Sequence, residues 1–229
     1  MSFAILKLSY NRPGESSLTG GICGTGFFID NSTAISAHHI LNEDTFTPNS
    51  GYRFCHVWIL SRNGLITSLN RDSLKSYPEI DTAVLKFQKP LSGYDIYTLA
   101  DNSPEAGTGV YSIGYIGNIM PKIEVYWQDG YLIITNCNLS YISCDKEGYI
   151  KNLLRMNVNA LDVNLKNIFG FEVSFGSMIG MSGGPLINKE TSEVIGLISF
   201  GLPIDSDIKT QTFAITMAEI KKHIFDSSI

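Results

Sequence analysis

The chain has 229 residues, of which 44% are hydrophobic and only 17% charged. That composition suits one large all-β unit or two small ones with a real core, and it excludes a disordered chain. The 17 basic and 22 acidic side chains leave a net charge of −5 with no long basic run, so nothing electrostatic supports a nucleic-acid partner or an acidic membrane surface.

In chain order, Met1 to Tyr10 holds a short apolar stretch but lacks the long apolar region and cleavage site of a secretory leader. No apolar run reaches the ~18 residues of a membrane span. A cytoplasmic location is the resulting expectation. Short segments rich in β-branched and aromatic residues then recur: Gly26 to Ile29, Thr33 to His39, Arg53 to Leu60, Thr82 to Phe87, Val110 to Tyr115, Tyr131 to Thr135 and Val194 to Phe200. Clusters of Gly, Asn, Asp, Pro and Ser separate them, which is the pattern of a barrel or sandwich. Leu91 to Gly107 loses apolar periodicity and marks the boundary between two halves, residues 1–100 and 101–229. Lys146 to Asn167 reads as a long surface excursion, polar and irregular in its first part. Only the end reads as a helix: Met217 to Phe225 places Met217, Ile220, Ile224 and Phe225 near one face, with Thr216 as its cap.

Cys23, Cys55, Cys137 and Cys144 form no CxxC pair and have no zinc-site spacing, so free thiols in a reducing compartment are expected, with no metal and no cofactor.

The chemistry concentrates at Gly180-Met181-Ser182-Gly183-Gly184-Pro185. A serine hydroxyl needs a base to take its proton and donors to hold the oxyanion that forms on the substrate. Glycines around a serine let the backbone curl so that amide N–H groups converge; Gly180 and Ser182 would supply two. A GxSxG string also occurs at the nucleophile elbow of α/β-hydrolases, but there the acid and then the histidine follow the serine. Here the only later histidine is His223, in the terminal helix, so the base lies upstream. His38 and His39 close an apolar strand and are the candidates; His56 is the remaining histidine. A carboxylate must fix the imidazole tautomer. Asp81, directly before the apolar run Thr82 to Phe87, is placed for that at a strand mouth, with Asp72 and Asp101 as competitors.

Together these segments resemble the chymotrypsin-like serine peptidases, in the order His, Asp, Ser. The nearest in flavour are high-temperature-requirement-type and other intracellular or viral trypsin-like enzymes. Gly24-Thr25-Gly26-Phe27-Phe28-Ile29 is similar to the strand before the family's histidine. Ile35-Ser36-Ala37-His38-His39-Ile40 is similar to its hydrophobic-Thr-x-Ala-His pattern, which puts the catalytic role on His39. Asp81-Thr82-Ala83-Val84-Leu85 resembles its Asp-hydrophobic-Ala-hydrophobic-Leu string, and Gly107 to Gly114 is similar to its opening strand of the second barrel.

The resemblance implies two six-stranded antiparallel β-barrels with a C-terminal helix. His39 and Asp81 would come from the first barrel and Ser182 from the second, with the Gly180 and Ser182 N–H groups as the oxyanion hole. It implies a protein or peptide substrate, with Gly176-Ser177-Met178-Ile179 at the floor of the primary pocket, Ser199, Phe200 and Gly201 along its wall, and extended chain adding along Ser199 to Gly201. Gly176, at the expected floor of the primary pocket, carries no charge, so an apolar P1 residue is expected. Met181 stands where many secreted relatives have the aspartate that binds a newly cut N-terminus, and Ile40 replaces the usual disulfide partner of Cys23. Neither that activation route nor that bridge is therefore expected. The alternatives are a partner-activated or inactive binding module on the same fold, and an esterase using the same triad. Oligomeric state is not legible.

Overall fold

A computed structural model of the chain describes residues 2–15, 18–160, 163–203 and 210–225. Seven strands build the first half: β1 (Phe3–Tyr10), β2 (Thr19–Phe28), β3 (Thr33–Ala37), β4 (Phe54–Ser61), β5 (Ile66–Leu69), β6 (Leu74–Tyr77) and β7 (Thr82–Lys86). They pair antiparallel in the order β5-β4-β1-β2-β3-β7-β6. β1 (FAILKLSY) is apolar on both faces because it separates two cores. Phe3 and Ile5 join one cluster with Phe28, Leu41 and Ile59, whereas Ala4, Leu6 and Leu8 join another with Trp58 and Tyr115. Period-two geometry sends alternate side chains to opposite faces, and each large side chain fully buried contributes roughly 1.5–3 kcal/mol.

The second half contains β8 (Gly109–Tyr115), the hairpin β9 (Lys122–Gln128) and β10 (Tyr131–Asn138), then β11 (Ser143–Ala160), β12 (Val163–Val173), β13 (Pro185–Asn188), β14 (Val194–Pro203) and β15 (Thr210–Thr216). Six of these close a barrel in the order β11-β12-β15-β14-β13-β8. The chain is therefore all-β with a C-terminal helix, the expected double-barrel class, and its first half carries one strand more than the resemblance implies.

The segment between Lys86 and Gly109 is bonded to both halves: Tyr97 N–H donates to Phe28 O at 2.9 Å, and Ala100 N–H to Val194 O at 2.9 Å. The helix α1 (Met217–Ile224) starts as expected, with Thr216 Oγ1 accepting from Glu219 N–H at 3.2 Å. Met217 and Ile220 are buried, but Phe225 falls at the C-cap and is exposed, because the helix ends before it can turn that side chain inward.

One expectation is corrected. Lys146 to Asn167 is not an irregular excursion; most of it belongs to the β11–β12 ribbon. Asn, Lys and Glu on the outer face mask the alternation, while Met156, Val163, Leu165 and Ile168 are buried in one core cluster with Tyr77 and Ile80 of the first half.

Candidate active site

His39 leaves the end of β3 in a tight turn in which Leu41 N–H donates to Ala37 O at 3.1 Å. Its backbone N–H donates to Asp81 Oδ1 at 3.0 Å, and its Nδ1 lies 2.9 Å from both Asp81 carboxylate oxygens. Only the tautomer with hydrogen on Nδ1 satisfies an ionised carboxylate there, which leaves Nε2 as a proton acceptor.

The other histidines are elsewhere. His38 donates its backbone N–H to Asp81 O at 3.1 Å, but its ring Nδ1 meets Ser76 Oγ at 3.2 Å. His56 Nε2 lies 3.3 Å from Tyr10 OH, and burial pushes its pKa below the ordinary value. His223 stays on α1, with Nδ1 at 2.9 Å from Glu219 O.

Asp81 is 1% exposed and has φ 43°, in the left-handed region. It ends the 3-10 turn Pro78–Ile80, with its N–H donating to Pro78 O at 3.2 Å. Aspartate tolerates this conformation better than most residues, and such strain gathers at functional sites. Of its competitors, Asp72 sits in the 3-10 turn Arg71–Ser73, and Asp101 pairs on the surface with Lys221 at 2.7 Å.

The serine turn is docked onto the first half. Thr25 N–H on β2 donates to Ser182 O at 2.9 Å, and Thr25 Oγ1 donates to Gly180 O at 2.6 Å. Gly183, at φ 84°, faces the Thr25 carbonyl and Ser36 Oγ so closely that no Cβ would fit. Met178 O accepts from Met181 N–H at 3.0 Å, and Gly180 has φ 93°, which makes Met178–Met181 a type II turn.

Ser199 joins the two halves. It is the bulged residue of β14, between the pairs Ile198↔Ala214 and Phe200↔Phe213, and a bulge re-aims a side chain. Its hydroxyl donates to Asp81 Oδ2, and its carbonyl accepts from Ser182 Oγ at 2.9 Å. Among the described residues, no hydrogen bond links Ser182 to His39.

These groups border a cleft of about 280 Å³. Of the expected substrate-binding residues, Ser177, Ser199, Phe200 and Gly201 line it, and Gly176 does not. Gly176 precedes Ser177, whose N–H is turned to Thr212 Oγ1 at 2.5 Å, so the lining starts one residue later than expected. Met178 and Ile179, the rest of the expected floor segment, line it too, whereas Cys23, Ile40 and Val163 line the cleft without having been singled out as binding residues. Met178, Ile179 and Ile40 adjoin recognised motifs, but Val163 arrives from the ribbon, and no local signal announces it. Phe200 is stacked on Phe213, with ring centroids 5.0 Å apart, and among the described residues His39 is the only ionisable side chain on the wall besides the Cys23 thiol. Burial pushes that thiol up to about 12, and its Sγ donates to Ile5 O at 3.3 Å, so it is a neutral lining group. All four cysteines are free. No group of three His, Cys, Asp or Glu side chains suited to a metal occurs among the described residues.

This is the architecture of a two-barrel peptidase with the candidate triad at the junction of its halves. The trypsin-like peptidase domain model matches residues 24–197. The chain belongs to the trypsin-like peptidase family. No curated protein matches it by sequence.

Solved structures share the fold at low identity. The inactive form of an Rv3671c variant from M. tuberculosis has 17% identity and TM-score 0.57, covering 95% of this chain and 82% of that one. The HtrA-type protease AlgW bound to a decapeptide has 15% identity and TM-score 0.61, covering 97% of this chain. This chain spans only 61% of that protein. The MamO protease domain from Magnetospirillum magneticum has 16% identity and TM-score 0.59, covering 96% and 95%.

Proposed function

We propose that this chain is a serine endopeptidase with Ser182 as nucleophile, His39 as general base and Asp81 as the group that orients it. The observation that carries this is the seating of the His39 imidazole on the buried Asp81 carboxylate at 2.9 Å, at the wall of the cleft that also holds Ser182.

In the mechanism, the Ser182 hydroxyl turns from Ser199 O toward His39 Nε2 as substrate enters. Catalytic hydrogen bonds are often loose in a free enzyme. Ser182 Oγ attacks the scissile carbonyl while Nε2 takes its proton, and Asp81 stabilises the imidazolium through Nδ1–H. The oxyanion accepts from the Gly180 and Ser182 N–H groups. The His39 imidazolium then protonates the leaving amine, and water repeats the cycle on the acyl-enzyme.

Substrate binding follows from the lining. β13 ends its pairing with β14 at Leu197, so Ser199 to Gly201 keeps an edge on the cleft side, where a peptide adds as a strand. Among the described residues, the wall by Met178, Ile179 and Phe200 offers no countercharge, so it favours an apolar P1 side chain over a buried lone charge. The test is cleavage of a protein such as casein by wild type and by Ser182→Ala. Cleavage confined to wild type is expected; equal cleavage by both overturns the assignment.

A second reading is a binding module whose site is silent until a partner arrives. The Ser182 Oγ–Ser199 O bond favours it, because that bond takes the hydroxyl proton away from His39. Tight peptide binding without cleavage or acylation would support it.

A further inference from the structure

The floor segment of the cleft carries a thioether that solvent can reach. Met178 is 42% exposed and lines the cleft, and among the described residues it is the only exposed methionine. Met156, Met181 and Met217 are buried, and Met120 is half-buried. Even Met181, which adjoins Ser182, is shielded: a Cβ on Gly114 of β8 would lie 3.0 Å from its Cγ.

Met178 is also held in place. The Cys144 thiol on β11 donates to its Sδ at 3.4 Å. A sulfide has two electron pairs, so this weak bond leaves one for an incoming reagent. A thioether reacts with a peroxide without losing a proton, whereas a cysteine reacts as its thiolate. Cys23, the other sulfur on the cleft wall, has its pKa pushed up to about 12 by burial and stays a thiol. Cys144 is buried behind Met178, and burial raises its pKa as well. Cys55 and Cys137 do not line the cleft.

The step balances with one hydroperoxide as oxidant. The Sδ electron pair attacks a peroxide oxygen, the O–O bond breaks, an S–O bond forms and one water or alcohol leaves. Sulfur is oxidised by two electrons and the peroxide is reduced. The product puts a strongly polar oxygen into a wall that Ile40, Ile179 and Phe200 make apolar. An apolar P1 side chain packed there would strip water from that oxygen without replacing its hydrogen bonds.

We propose that Met178 is a modification site: a hydroperoxide converts it to the sulfoxide, and this weakens the binding of peptides with an apolar P1 residue while Ser182, His39 and Asp81 stay unmodified. The effect on turnover rests on the peptidase reading; the effect on peptide binding stands without it.

The test treats wild type, Met178→Leu and Met120→Leu with hydrogen peroxide, maps added oxygen by mass spectrometry and follows turnover of a peptide with Leu at P1. In wild type, oxygen on Met178 should track a rise in KM of about tenfold, the scale on which a hydrophobic pocket discriminates. Fluorophosphonate labelling of Ser182 should persist. Met178→Leu should keep the KM it had before treatment, and Met120→Leu should respond as wild type does. Methionine sulfoxide reductases should restore the KM. An unchanged KM with Met178 fully oxidised overturns the proposal. So does a loss that Met178→Leu shares, or one that a simple thiol reverses, which marks an oxidised cysteine.

Affinity of the Leu-P1 peptide for Ser182→Ala, before and after peroxide, separates this proposal from the peptidase reading. A fall of about tenfold upholds the site even if wild type cleaves nothing. Equal affinity before and after, with Met178 oxidised, rejects it. Failure of wild type to cleave or label counts against the peptidase reading alone.

Discussion

Ser199 and Asp81 belong to opposite halves of the molecule, and the Ser199 hydroxyl donates directly to Asp81 Oδ2. The Asp81 carboxylate thereby receives His39 from its own half and Ser199 from the other, so the orientation of the base depends on how the halves pack.

Ser199→Ala should test that dependence. It removes a donor from a buried carboxylate, which costs about 1–3 kcal/mol, while the Ser199 carbonyl that holds Ser182 stays. The expected outcome is a lower Tm together with a kcat/KM reduced by about tenfold, on the scale of 1.4 kcal/mol per decade. Steady-state kinetics and thermal unfolding on the same sample check it. Wild-type values of both would show that the contact is dispensable.

Gly183→Ala should disable the site by displacement. The residue has φ 84°, and an added Cβ would lie within 2.8 Å of Ala37 N, besides striking Thr25 O and Ser36 Oγ. Relief requires the serine turn to move off β2. Stability should fall by about 2 kcal/mol or more, and hydrolysis should be lost. Chemical denaturation and peptide turnover measure the two effects, and a fully active Gly183→Ala would contradict the docking of the turn.

Peptides that differ only at P1 should separate by charge. Leu, Met or Phe there should be cleaved at least about tenfold faster than Lys or Arg, because a lone cation finds no carboxylate among the described residues of this wall. Competitive turnover of paired peptides measures the ratio, and a preference for Arg would contradict an apolar pocket.

Glu172 gives a pH prediction. It is buried on β12, with Phe213 as its pairing partner on β15, and the Lys151 ammonium hydrogen-bonded to it holds its carboxyl below the ordinary value of 4.5, aided by Asn152 and Gln211. A carboxyl lowered in the folded state contributes stability above its unfolded pKa and loses it as pH falls through the folded pKa. Glu172→Gln should therefore be less stable than wild type at pH 7 by about 1–2 kcal/mol. The difference should close as pH falls below 4.5 toward the folded pKa. Urea unfolding across that range checks the sign; a gap that widens toward acid would contradict it.

The residues of the candidate site were easier to pick out than the scaffold that brings them together. Ser182, His39 and Asp81 sit in short strings whose meaning is local: a glycine-framed serine, a histidine at a strand end, an acid before an apolar strand. The strands that build the cleft were harder to see. β2 begins as Thr19-Gly20-Gly21, which hides its β-character, and β13 is only four residues long. The β11–β12 ribbon presents polar residues outward and reveals its apolar face only against Tyr77 and Ile80, contacts distant in sequence. The docking of the serine turn on β2 runs partly through backbone atoms, Thr25 N–H to Ser182 O, so no side-chain pattern could announce it.

The most direct measurement is labelling by a fluorophosphonate probe with the modified residue mapped by mass spectrometry, on wild type, Ser182→Ala, His39→Ala and His38→Ala. Label on Ser182 in wild type and His38→Ala, and none in the other two, is the expected result. A correctly folded wild type that never labels, or a His39→Ala that labels while His38→Ala does not, would contradict a Ser182–His39–Asp81 peptidase.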